Sequence, residues 1–130
     1  MSVAFCDSSA LVKLIVEEPE SGALRQSLGT YSRVMASELA AVEVPRAIRR
    51  RDPGRVALAH RLIHNLGTVT VDRGVIERAA SLDPAGLRSL DALQIACALR
   101  IAQFDPVFIA YDKRILRAAS VAGLRAQSPE

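Results

Sequence analysis

At 130 residues and 14.0 kDa the chain has room for one hydrophobic core and little else, so a single domain over residues 1–130 is expected. Half of the residues are hydrophobic and 24% are charged, a balance that excludes the polar composition of a disordered chain. No apolar run approaches the ~18 to 20 residues that cross a bilayer, and the opening Met1-Ser2-Val3-Ala4 lacks the basic stretch of a signal peptide, so a soluble, cytoplasmic protein with no membrane partner is expected.

Cys6 and Cys97 are the only cysteines and sit in apolar segments. They are too few for a disulfide framework or a four-cysteine zinc site, and buried thiols are expected. With no tryptophan, two tyrosines and three phenylalanines, the chain lacks the interleaved aromatics on which bases stack, so any nucleic acid must be held through its backbone. The net charge of +3 conceals a segregation. Residues 46–61 carry Arg46, Arg49, Arg50, Arg51, Arg55 and Arg61 against Asp52 alone, a local charge of +5, and the rest of the chain sums to −2. Such a run is either a solvated helix face or a phosphate-contacting strip.

In chain order, residues 2–6 form an apolar run that predicts a buried strand, followed by Asp7-Ser8-Ser9 and a helix carrying Leu11, Leu14 and Ile15. A helix over residues 20–28 follows Pro19, and Gly29-Thr30 breaks it. Residues 34–36 suggest a strand, after which Ser37 is placed to cap a helix bearing Leu39, Val42, Glu43 and Ala47, kinked or restarted at Pro45. Asp52-Pro53 reads as a cap and first position of a helix through Val56, Ala59, Ile63 and Leu66, closed by Gly67. Residues 68–71 alternate as a strand, and Asp72 caps a short helix with Val75, Ile76, Ala79 and Ala80.

Ser89 opens a helix over residues 90–103 that is apolar nearly all round and therefore covered. Residues 107–111 read as a strand buried on both faces. Asp112 caps a helix with Ile115, Leu116 and Ala119 inward, Gly123 ends it, and residues 124–127 add a last strand. Strands alternating with helices require crossovers, hence an α/β fold with a mostly parallel central sheet and helices on both faces. In such sheets chemistry gathers at the carboxyl ends of the strands.

Asp7 and Asp112 each follow a predicted strand at that edge. Asp91 lies in the first turn of the apolar helix, and Glu43 lies on the inward stripe of its own. Singly, each has a plain structural use: Asp7 and Asp112 as caps, Asp91 as a complement to a helix dipole, Glu43 as the partner of Arg46 or a neighbouring arginine. Together they imply more. Two carboxylates about 5 Å apart at an effective dielectric near 20 repel by roughly 3 kcal/mol, so a converging group of four calls for a bridging cation.

An all-oxygen ligand set points to magnesium, with manganese as a substitute. Metal-holding carboxylates beside an arginine strip suggest phosphodiester hydrolysis. Ser9 is spaced to hydrogen-bond a carboxylate, although capping suits it equally, and Lys13 is expected to be solvated. His60 and His64 lie four apart without a metalloprotease signature, and packing or surface exposure is expected of them.

These residues resemble those of the PIN-domain ribonucleases, and most closely the VapC toxins of type II toxin-antitoxin pairs. Phe5-Cys6-Asp7-Ser8-Ser9-Ala10-Leu11-Val12-Lys13 resembles the family's first motif, a strand ending in aspartate with a nearby serine. Ser37-Glu38-Leu39-Ala40-Ala41-Val42-Glu43 is similar to the helix bearing the second acid, which maps onto Glu43 with Glu38 as its rival. Leu90-Asp91-Ala92-Leu93-Gln94-Ile95-Ala96 resembles the third motif and Tyr111-Asp112-Lys113-Arg114-Ile115-Leu116 the fourth, except that Gln94 stands where many relatives carry histidine.

The resemblance implies a three-layer α/β/α sandwich and a divalent-metal endoribonuclease acting on RNA. It implies a cognate antitoxin that blocks the groove, and a homodimer. Asp7, Glu43, Asp91 and Asp112 are then the catalytic metal ligands, Ser9 supports them, and Arg46, Arg49, Arg50, Arg51 and Arg55 contact the RNA backbone. Two rivals stand beside it: a catalytically silent RNA- or protein-binding module of the same fold, and an aspartyl phosphotransfer domain, disfavoured because Asp7-Ser8-Ser9 lacks the second aspartate of a DxD pattern.

Overall fold

In a computed structural model that describes all residues, 1–130, five strands form one parallel sheet: β1 (Val3–Cys6), β2 (Arg33–Ser37), β3 (Gly67–Val69), β4 (Val107–Ile109) and β5 (Arg125–Gln127). Their order across the sheet is β3-β2-β1-β4-β5. Parallel neighbours cannot be joined by a hairpin, and seven helices fill the connections: α1 (Ser8–Val12), α2 (Ser21–Leu28), α3 (Ala40–Arg51), α4 (Val56–His64), α5 (Arg73–Ala80), α6 (Ser89–Arg100) and α7 (Lys113–Val121).

The pleat divides the core in two. Ala4, Cys6, Val107 and Ile109 face one side, where they meet Leu11, Leu24, Val44, Ile48 and Ile63 from α1 to α4. Phe5, Phe108 and Ala110 face the other, against Val75, Ile95, Ile115 and Ala119 from α5 to α7. Phe5 and Phe108 are register partners on adjacent strands and stack at 5.7 Å between centroids. The result is the α/β/α sandwich expected from the alternating pattern, with β1 and β4 buried on both faces.

Several boundaries differ from the sequence expectation. Ser37 ends β2 rather than capping a helix; its hydroxyl accepts the Leu39 N–H at 3.1 Å, and α3 begins three residues later. Helix α3 runs through Pro45 without a restart, because the ring lies at a buried position and only the Ala41 carbonyl, in the exposed first turn, loses its donor.

Asp52 caps no helix. Helix α3 extends up to it, its N–H donates to Ile48 O at 2.7 Å, and its carboxylate pairs with Arg55 at 3.0 Å, so a 3-10 turn over Pro53–Arg55 precedes α4. Helix α1 stops at Val12, leaving Leu14 and Ile15 in the following turns. Strand β4 ends at Ile109, so Ala110 and Tyr111 separate it from Asp112. Gly123, with φ of +99°, ends α7 in a conformation only glycine adopts without strain.

The strand order reverses between β1 and β4. The chain steps outward from β1 to β2 and β3, then returns to the far side of β1. The crevice at the carboxyl ends of β1 and β4 is therefore where an open α/β sheet places a binding site. Helices α1, α3 and α7 start at that edge because each follows a strand that ends there. Helix α6 starts there as well, because it must run back before β4.

Candidate active site

Asp7 follows β1 and is held from both sides. Its N–H donates to Ile109 O at 3.0 Å, which ties it to the end of β4. Its carboxylate accepts the Ala10 N–H at 3.0 Å, capping α1, and the Ser9 hydroxyl at 2.9 Å. Only 6% of Asp7 is exposed. Burial pushes its carboxyl up from 3.8 to about 6 against the pull of the Ala10 and Ser9 bonds, and the charges of Asp91 and Glu43 add to the rise. Ser9 thus both belongs to α1 and donates to a carboxylate.

Glu43 lies in the first turn of α3. The plain structural alternative for Glu43, an ion pair with Arg46 or a neighbouring arginine, is not made; its Oε1 accepts the Ser8 hydroxyl at 2.8 Å and the Gln94 amide at 2.9 Å, and Gln94 Nε2 also reaches Ser8 Oγ at 3.0 Å. Three segments, α1, α3 and α6, are stitched together by neutral donors that orient a carboxylate without cancelling its charge. Gln94 is 3% exposed and its Oε1 has no partner. The rival Glu38 sits elsewhere, accepting the Val71 N–H at 2.6 Å on an exposed turn.

Asp91 occupies the first turn of α6, with Arg88 Nε 3.6 Å from its Oδ2. Asp112 caps α7 through the Arg114 N–H at 2.7 Å, and that bond, with the Arg114 guanidinium, holds its carboxyl below the usual range. Asp7, Glu43, Asp91 and Asp112 all line one cavity of about 160 Å³, with Arg88 and Gln94 in its wall. The capping readings of Asp7 and Asp112 are correct without being the whole account, because a cap occupies only part of a carboxylate.

The donor set suits a hard divalent cation. It is all oxygen, and burial, with a smaller contribution from the charges of Asp91 and Glu43, raises the Asp7 carboxyl, a cost that a bound cation would relieve. Each carboxylate is turned toward its own donor, and as they stand no three of them are grouped closely enough to hold an ion together. Asp91 and Asp112 have long, exposed arginine partners and can re-aim at small cost.

The arginines separate. Arg50 and Arg51 line a second cavity of about 440 Å³ that shares Ser8, Ser9 and Glu43 with the first. Arg50 falls on the Glu43 face of α3, seven residues on; Arg46 shares that face but lines neither cavity, and Arg49 is turned roughly 120° away. Arg55 is spent on Asp52 and on Ile15 O at 2.8 Å, in a different depression beside Arg61.

Lys13, expected in solvent, is mostly buried. It pairs with Glu18 at 2.6 Å and Glu20 at 3.2 Å and sits 4.7 Å above the Tyr111 ring centroid. His60 and His64 are exposed on α4, and Cys6 and Cys97 are buried free thiols, as composition suggested. Sequence reading missed Ser8 and Arg88 altogether; the place of Ser8 between Asp7 and Ser9, and the spacing of Arg88 three residues before Asp91, were the available signals.

The fold and the site together define an α/β/α protein whose acidic residues gather at the switch point of a parallel sheet, where such folds bind their ligands. The PIN domain family matches residues 4–121, and the chain belongs to it. It is 40% identical over 134 residues to Ribonuclease VapC46 and 35% identical over 130 residues to Ribonuclease VapC47, both of Mycobacterium tuberculosis. The alignments cover 99% and 96% of each chain respectively, which places the protein among the VapC ribonucleases. The fold matches the crystal structure of Mycobacterium tuberculosis VapC20, a Sarcin-Ricin loop cleaving toxin, with a TM-score of 0.74 at 23% identity, covering 98% of this chain and 100% of that one. It also matches a toxin-antitoxin complex from Klebsiella pneumoniae, with a TM-score of 0.75 at 17% identity and 98% of both chains covered.

No helix is long and apolar enough to cross a membrane.

Proposed function

We propose that the protein is a magnesium-dependent endoribonuclease and the toxin of a toxin-antitoxin pair. The observation that supports this is the single cavity lined by four carboxylates drawn from four separate segments, one of them buried and raised to about 6. Asp7, Glu43, Asp91 and Asp112 hold magnesium, or manganese in its place, directly or through water. When bound, the ion supplies water activation and neutralises charge on the phosphoryl oxygens.

The chain's own contribution is geometry. Ser9 and the Ala10 N–H fix Asp7, and Ser8 with Gln94 fixes Glu43, so two ligands from separate segments keep their spacing while the substrate enters. Arg50 and Arg51, in the adjoining cavity, attract the RNA backbone. A cognate antitoxin that covers this groove is the partner that follows, and a homodimer is the assembly.

The test is incubation of the purified chain, freed of any co-purifying protein, with total RNA and magnesium, mapping new ends beside Asp7→Asn and Asp91→Asn. Cleavage by the wild type and its loss in both variants is expected. Unchanged magnesium-dependent cleavage in both would refute the ligand assignment, and RNA binding without new ends under any divalent cation would leave the silent module.

A further inference from the structure

On the side of the acidic cavity away from α3 lies a third depression, of about 370 Å³, between the loop that precedes α6 and the outer face of α7. It shares Arg88 and Asp91 with the acidic cavity, so the two are continuous. Arg88, Arg114 and Arg117 line it against Asp83 and Asp91, and Leu87, Ala118 and Val121 supply an apolar floor. The acidic cavity therefore has arginines on both flanks, whereas the sequence concentrates them on one.

The two flanks differ in how firmly their cations are held. Near α3, Lys13 is buried between two glutamates and Arg51 is bonded to Glu18, which leaves Arg50 without an ion pair. On the α7 side, Arg88 and Arg114 make only long contacts, 3.6 Å to Asp91 and 3.4 Å to Asp112, and Arg117 makes none. Exposed pairs of that length contribute little, so these guanidinium groups are available to an incoming anion. Once Asp91 and Asp112 turn toward a cation, Arg88 and Arg114 are released entirely.

We infer that Arg88, Arg114 and Arg117 form a second phosphate-binding arm, so that one RNA strand crosses the acidic cavity and is gripped on both sides of the bond to be cut. The inference rests on the ribonuclease reading and adds to it the path and form of the substrate. A phosphate must reach Asp7 at the bottom of a cavity of about 160 Å³, which a single strand can do by bending inward and a stiff duplex cannot. The floor of Leu87, Ala118 and Val121 receives the apolar face of a sugar or an unstacked base while the arginines hold the neighbouring phosphates.

The experiment measures binding of a fluorescent single-stranded RNA in chelator, where no turnover occurs, across a salt series. The proteins compared are wild type, Arg114→Ala/Arg117→Ala, and Arg78→Ala, an exposed arginine on α5 that lines none of these cavities. The double variant is expected to bind about 10-fold or more weakly, with the slope of log K against log salt reduced by roughly 0.7 for each lost contact, while Arg78→Ala follows the wild type. Wild-type binding with an unchanged affinity and slope in the double variant would overturn the second arm and leave the ribonuclease reading standing. Failure of the wild type to bind RNA in chelator would also overturn the arm, whereas the ribonuclease reading falls only with the cleavage assay in magnesium.

Discussion

The Asp7 carboxyl offers a quantitative check on the site. On folding its pKa rises from 3.8 to about 6, chiefly through burial. Between those values the folded chain binds the proton more tightly than the unfolded one, so stability falls as the pH climbs through the window and levels off above it. For a fully ionised group the loss is roughly 3 kcal/mol, taking about 1.4 kcal/mol for each pH unit. Asp7→Asn removes the charge and keeps an oxygen to accept the Ala10 N–H, so the fixed cost of the substitution is small.

The stability advantage of the variant over the wild type should therefore grow by about 2 to 3 kcal/mol between pH 4 and pH 7.5, read from urea unfolding in chelator. Comparing the pH-dependent change rather than either value alone cancels constant packing differences. Manganese added at pH 7.5 should raise the wild-type midpoint and leave the variant's nearly unmoved, since only the wild type has the buried charge to neutralise. A difference between the two proteins that stays constant with pH would refute the premise that Asp7 is a desolvated carboxylate in a shared negative field.

Glu43→Gln should reduce cleavage on the order of a hundredfold or more. Glu38→Gln, whose side chain holds the Val71 N–H outside the cavity, should stay within about twofold in the same assay. Gln94→Leu deletes both donated bonds and should weaken manganese binding about 10-fold or more, measured by titration calorimetry; an unchanged Kd would mean that Glu43 keeps its aim without the amide. Phe108→Ala, which removes a fully buried ring from its stack on Phe5, should lower unfolding free energy by about 3 to 5 kcal/mol, and a loss near zero would contradict the two-sided burial of β4.

Much of the architecture is legible in the one-dimensional pattern because it depends on period and on short-range chemistry. The run Val3 to Cys6 and the apolar residues from Val107 read as strands covered on both faces. Asp72 and Asp112 announce their helices because a capping side chain bonds within three residues of itself. Asp7, Asp91 and Asp112 could be singled out in the same way, as acids at element starts where a parallel sheet collects its helix N-termini, and Glu43 as an acid on the inward stripe of its helix. The errors of boundary fall where two local signals compete, as at Asp52, which looked like a cap until α3 extended far enough to claim its N–H.

What chain order could not decide is who touches whom across it. Chain order offered Glu43 only Arg46 or a neighbouring arginine as a structural partner, whereas it meets Ser8 and Gln94, 35 and 51 residues distant. The arginine run between 46 and 61 is dense in sequence, yet the rotation of α3 and the turn at Pro53–Arg55 disperse it. Arg88, Arg114 and Arg117, unremarkable along the chain, gather beside the acids. Periodicity and capping act over a few residues and are written locally; the neighbours of a side chain across a sheet edge depend on strand order and helix rotation, which exist only once the chain has packed.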